Sequence, residues 1–108
     1  MDKIEYKGVE YELVFNLNVM EEIQEAYGSI EAWADLTDAD EPNIKALKFG
    51  LLHMINEGID IFNEENNETR PFFDSKKIGR LLTEVGLDKA VSSVSNTVIE
   101  STKSDEKN

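Results

Sequence analysis

The chain contains no cysteine, which excludes disulfides, thiolate chemistry and cysteine-based zinc sites. Histidine is almost as scarce: His53 is the only one. Basic residues are few, 11 against 23 acidic ones, so the formal net charge is -12. A protein that binds nucleic acid neutralises phosphates with lysine and arginine, and here these form no stripe or aromatic-interleaved patch, so nucleic acid is not an expected partner. Long apolar runs are missing too. None approaches the ~20 residues of a membrane span, and MDKIEYKG has no apolar core of signal-peptide length. The expectation is a cytosolic protein that does not engage membranes. At 108 residues there is room for one domain and a real core.

What is present is dominated by one periodic segment, Pro42 to Glu64. At ~100° per residue, Ile44, Leu47, Leu51, Leu52, Met54, Ile55, Ile59, Ile61 and Phe62 share one broad arc, wider than a surface helix needs. This is the expected central helix, with neighbours on two sides. Its opposite arc, Lys45, His53, Asn56, Glu57, Asp60, Asn63 and Glu64, is expected to face water, with Lys48 snorkelling out of the apolar side. Phe49 projects from the polar side and calls for a second packing layer or a partner. Gly58 lies on the apolar side, where a close backbone crossing would account for it.

Before this helix, alternation in Ile4 and Tyr6, then in Val9, Tyr11, Leu13 and Phe15, predicts a strand pair over Lys3 to Phe15 turned at Lys7-Gly8. Asn18 with Glu21 predicts a helix start, with Val19, Met20, Ile23, Ala26 and Tyr27 as its stripe and Gly28 as its stop. Ser29 caps a short second helix, Ile30 to Leu36, facing inward through Ile30, Trp33 and Ala34. Trp33 reads first as a core anchor beside Gly58 or Gly50, and second as a ligand contact. The acidic loop DLTDADEPN lacks the Gly and Glu of a calcium loop counted from Asp38, so its acids read as helix-start residues, with Asp40 or Glu41 as cap and Pro42 in the first turn.

After the central helix, ENNETRPFF is a polar connection. Phe72 and Phe73 are adjacent and point opposite ways in extended backbone, so one can enter the core while the other faces a neighbour; the first reading, however, is that both cover the end of the central helix. Asp74 or Ser75 caps a fourth helix with the stripe Ile78, Leu81, Leu82 and Val85, closed by Gly86. Leu87, Ala90, Val91, Val94 and Val98 mark a fifth, whose other faces carry Ser92, Ser93, Ser95, Asn96 and Thr97. The fold class is therefore mainly α (α+β): an N-terminal β-hairpin packed on a bundle of about five helices, one domain over 1–100, with 101–108 a disordered tail.

No catalytic constellation stands out. His53 reads as a solvated residue, acid pairs such as Asp60/Glu64 are ordinary on helix faces, and the sequence carries no P-loop, GxGxxG or HExxH. Neither an enzyme activity nor a cofactor or metal is expected. The candidate contacts are aromatic: Phe49, Phe62, Phe72 and Phe73, with Trp33 as a further member.

The run YELVFNLNVMEEIQEAYGSIEAWADL, through Leu17-Asn18, Met20-Glu21-Glu22-Ile23, Glu25-Ala26-Tyr27-Gly28-Ser29 and Ile30, resembles the phage tail assembly chaperones of long-tailed phages and related prophages of the Gram-positive type. The likeness continues more loosely through LKFGLLHMINEG and GRLLTEVGLDKAV. It implies a non-enzymatic host-cytoplasmic protein that binds the tape measure protein, with the tail tube protein as a further possible partner, and is absent from the mature virion. The family motif carries no catalytic residue. High negative charge and the lack of a sustained heptad predict a monomer or weak self-association. Two other readings compete: a structural virion component such as a head-tail connector or tail-terminator subunit, and a small acidic regulatory binding protein.

Overall fold

The N-terminal hairpin turns on two residues with left-handed backbone, Lys7 at φ 52° and Gly8 at φ 79°, the type I′ geometry that matches strand twist. It joins β1 (Lys3–Tyr6) to β2 (Val9–Glu12) in an antiparallel register pairing Ile4 with Tyr11 and Tyr6 with Val9. Those four side chains share the inner face. Beyond β2 the chain stays extended, and Leu13 and Phe15 continue the alternation into the core. Their backbone passes from the hairpin ladder to a helix. The Leu13 N–H donates to the Asp2 carbonyl at 3.0 Å and the Val14 N–H to the Met54 carbonyl at 3.2 Å. β2 ends three residues before the predicted limit of the strand pair: the Leu13 bond to Asp2 still follows the hairpin register, whereas the Val14 bond goes to a helix instead of to a strand.

Five helices follow in this computed structural model, which describes residues 2–106, with side chains to residue 102: α1 (Leu17–Tyr27), α2 (Ile30–Thr37), α3 (Ile44–Asn66), α4 (Ser75–Val85) and α5 (Leu87–Glu106). The architecture is mainly α with a small β-hairpin packed on the helices. Each of the first four helices is capped by a side chain that accepts a free N–H of the first turn. The caps are Asn16 for α1, Ser29 for α2, Asn43 for α3 and Asp74 for α4. Two of them correct the sequence reading. Asn16, not Asn18, starts α1: its Oδ1 accepts the Val19 N–H at 3.2 Å, while its Nδ2 donates to Glu57 Oε2 at 2.7 Å. Asn43, not Asp40 or Glu41, starts α3, which places Pro42 just outside the helix.

The central helix α3 packs against α1, α2, α4, α5 and β2. Its buried face is Ala46, Leu47, Gly50, Leu51, Met54, Ile55, Gly58 and Ile59. Ile44 and Ile61, placed inside by periodicity, are 48% and 36% exposed, since they lie near the ends where neighbours diverge. Two glycines set the packing distances on this helix. A side chain on Gly50 would strike the indole of Trp33, and one on Gly58 would strike the backbone carbonyl of Glu12. Gly58 also lies one turn beyond Met54 and leaves that carbonyl open to its second donor, Val14. The expected close backbone crossing is therefore the hairpin exit itself. Trp33, 1% exposed, stacks on Phe15 at 6.4 Å and donates from Nε1 to the Ala46 carbonyl at 2.9 Å.

The other helix stripes need smaller corrections. Ala26 of α1 is exposed, whereas Val19 and Ile23 are buried. In α5, Ser93 and Thr97 are buried beside Ala90 and Val94, and the Thr97 hydroxyl donates to the Ser93 carbonyl at 2.8 Å. An i−4 back-bond satisfies the hydroxyl without a tertiary partner, so small polar residues sit on the packed face. The helix continues to Glu106, so residues 101–106 of the expected tail are helical, while 107–108 lie outside the described residues.

Candidate partner groove

Beyond the Gly58 crossing, α3 and β2 separate and leave a groove of about 720 Å³. Its apolar lining is Val9, Tyr11, Val14, Ile61 and Phe62, with Gly58 and Ile59 also contributing. Lys3, Glu10, Glu12, Glu65 and Arg70 surround these. That volume lies within the ~300–1,000 Å³ of binding pockets in general, and the mixture of apolar surface with a few polar groups is of the same kind.

The rim is built from the backbone outward. Tyr6↔Val9 flanks the two-residue turn and is the hydrogen-bonded pair of the hairpin, so Glu10 and Glu12 turn their backbone N–H and C=O to the free edge. Glu12 meets Gly58 there. Glu10 faces the groove. Opposite, the Arg70 guanidinium lies 3.8 Å from the Phe62 ring centroid and 5.8 Å from that of Tyr11, a cation over two aromatic faces. Its backbone is fixed by Asn63: the Arg70 N–H donates to Oδ1 at 3.0 Å, and Nδ2 donates to the Arg70 carbonyl at 3.0 Å.

The five aromatic residues singled out from the sequence do not come together. Phe62 alone lines the groove. Phe72 is 55% exposed and borders a separate, polar depression with Asn18, His53 and Asp60. Phe49 and Phe62 are thirteen residues apart on α3, which at ~100° per residue puts them about 140° apart round its axis. Phe49 is half-buried beneath Tyr27 of α1, ring centroids 5.5 Å apart, and touches His53 at 4.5 Å. That is the second packing layer its position called for. Phe73 and Trp33 are core residues, 4% and 1% exposed. Phe73 packs edge-on to Tyr11 at 5.1 Å and tilted against Tyr6 at 6.0 Å. Phe72 and Phe73 point opposite ways, with Phe73 inside and Phe72 exposed, so the first reading, in which both cover the end of the central helix, is corrected.

Sequence reasoning missed Tyr11, Val14, Ile61 and Arg70 as members of one groove. The available signal was Gly58. A glycine marking a backbone crossing also says that the helix beyond it runs beside the crossing strand, and Ile61 and Phe62 are the apolar residues there.

Among the described residues, no helix is long and apolar enough to cross a membrane, and no cluster of three or more His, Asp or Glu is placed to hold a metal ion. No family model, curated protein or solved structure matches this chain.

Proposed function

We propose that the chain is a non-enzymatic tail assembly chaperone that binds an apolar segment of the tape measure protein in the groove between β2 and α3 and keeps it soluble in the host cytoplasm until the tail tube polymerises. The groove is the observation that carries this reading. It offers apolar side chains beside a backbone edge left free at Glu10, and interaction sites are marked by such apolar patches with polar rims. The net charge of -12 supports the role, since like-charged complexes repel one another while the apolar cargo is held. The family resemblance, carried by residues 11–36 and continuing more loosely through residues 79–91, supplies the identity of the cargo.

One further reading has an observation of its own. The outward backbone of Glu10 would serve a structural tail subunit that pairs hairpin edges with its neighbours. Mature particles separate the two, because a chaperone is absent from them and a structural subunit is retained.

The direct test is co-expression with the tape measure protein of a long-tailed phage. The tape measure protein is expected in the soluble fraction with the wild-type chain and in the pellet without it. Equal solubility in both cases overturns the proposal.

A further inference from the structure

A second surface, away from the groove, reverses the charge of the molecule. Lys7 at the hairpin turn, Lys48 on α3, and Lys76 and Arg80 on α4 line one shallow depression beside Tyr6 and Gly79. Four of the chain's 11 basic residues are gathered there, although 23 carboxylates are available to dilute them. Glu84 is the one acid in the lining, and among the described residues no ion pair joins any of the four cations to a carboxylate.

Two features show that this gathering is held against local electrostatics. Lys76 stands in the first turn of α4, the end of a helix at which a cation is disfavoured by the backbone dipoles. Lys76 and Arg80 are four apart on that helix, and like charges at this spacing repel. Lys48 is half-buried and rises across Gly79, its Nζ 3.5 Å from where a side chain there would begin. The lysine stem thus passes α4 at van der Waals distance on its way to the depression.

We propose that this depression docks a carboxylate-rich segment of a partner protein, independently of the groove. Three of its cations are lysines, compact charges that can donate to carboxylate oxygens in many orientations. No exposed aromatic interleaves them as a base-stacking platform would require, for Tyr6 is buried at 6% exposure. A long polyanion or a membrane surface would meet the acidic remainder of the chain. A short acidic segment lies within a Debye length, ~8 Å at physiological salt, of the four cations and is screened from the rest.

The test uses the full chain, isotope-labelled, titrated with blocked hexaglutamate and followed by amide chemical shifts. Inorganic phosphate and a six-nucleotide single strand are run as separate arms. Shifts are expected at Lys7, Lys48, Lys76, Gly79 and Arg80, with binding several-fold weaker at physiological than at low salt. The double variant Lys76→Ala/Arg80→Ala removes two exposed charges, and its fold is checked by circular dichroism. It should bind roughly tenfold more weakly, at the upper range of exposed ion pairs. Lys89→Ala and the groove variant Ile61→Glu should bind hexaglutamate as the wild type does, so loss of the chaperone reading leaves this one standing. The proposal is overturned if the depression shows no shifts, if Lys45 and Lys89 shift as strongly, or if phosphate or the oligonucleotide binds more tightly than hexaglutamate.

Discussion

The side chain of Asn56 and the backbone of Phe73 exchange two hydrogen bonds, with the Phe73 N–H donating to Oδ1 at 2.8 Å and Nδ2 donating to the Phe73 carbonyl at 2.9 Å. Asn63, two turns further along α3, does the same for Arg70. The pair of amides thus substitutes for a strand and holds segment 70–73 extended beside the helix. This sends Phe73 into the core and Arg70 over Phe62. Removing one amide leaves partly buried backbone groups without partners, at a cost of ~1–3 kcal/mol. Asn56→Ala is therefore expected to lower unfolding free energy by about 2 kcal/mol in urea titration. A loss below about 0.5 kcal/mol would show that water replaces the amide freely.

The two glycines Gly58 and Gly79 should respond in opposite directions to alanine. At Gly58 the new methyl meets the Glu12 carbonyl, a backbone atom that cannot rotate away. Overpacking of this kind costs ~1–3 kcal/mol, more than the ~1 kcal/mol of helix propensity gained. At Gly79 the nearest heavy atom is Lys48 Nζ at 3.5 Å, an ordinary contact with a flexible chain end. Gly58→Ala should lower the denaturation midpoint and Gly79→Ala should raise it. Two shifts of the same sign would refute the crossing geometry.

Much of this architecture is written in local patterns. Period-two alternation located the hairpin, Ser29 and Asp74 announced their helices, and Gly28 and Gly86, with φ of 88° and 95°, ended theirs. The groove was not legible in the same way, because it depends on the direction in which α3 leaves the hairpin. Asn56, Asn63 and Glu57 show the difficulty. Periodicity assigns them to water, yet each reaches a backbone or an amide from another segment, with Glu57 accepting from both Asn16 and Asn18. Hydrophobic pattern records which face is apolar. It does not record that a polar side chain has a tertiary partner. Thr97 was misplaced for the related reason that a hydroxyl back-bonded to the Ser93 carbonyl packs like a small apolar group.

The phenylalanines should separate by stability. Phe73→Ala empties a site that is 4% exposed and should cost ~3–5 kcal/mol. Phe72→Ala, at 55% exposure, should stay within ~0.5 kcal/mol of wild type. Phe49→Ala should fall between them, since Tyr27 and His53 cover only part of the ring. The measurement is the midpoint of chemical denaturation at fixed slope. Equal midpoints for the Phe72 and Phe73 variants would contradict their opposite orientation.

Helix α5 should show graded amide protection. Ala90, Ser93, Val94 and Thr97 are buried, whereas Ile99 is 59% exposed and Thr102 is exposed too. Local opening follows the density of buried contacts, so exchange should be slow through Thr97 and accelerate beyond Val98. The central helix, packed on several elements, should remain the most protected segment. Uniform protection along α5 would show that its outer half is covered in solution.

The groove is best tested where binding and folding can be read separately, and Ile61 is the residue that allows it. It is 36% exposed, so a charged side chain there can reach solvent without entering the core. Ile61→Glu should leave the denaturation midpoint within about 0.5 kcal/mol of wild type. The same change places a carboxylate among Val9, Tyr11 and Phe62, where a bound apolar segment would have to desolvate it. Soluble tape measure protein in co-expression should then fall at least about tenfold, as expected for the loss of one central contact. Phe72→Ala, outside the groove, should leave that yield unchanged. If instead the Phe72 variant loses the partner while Ile61→Glu retains it, the cargo lies on the His53 face of α3, and the groove between β2 and α3 has no part in holding it.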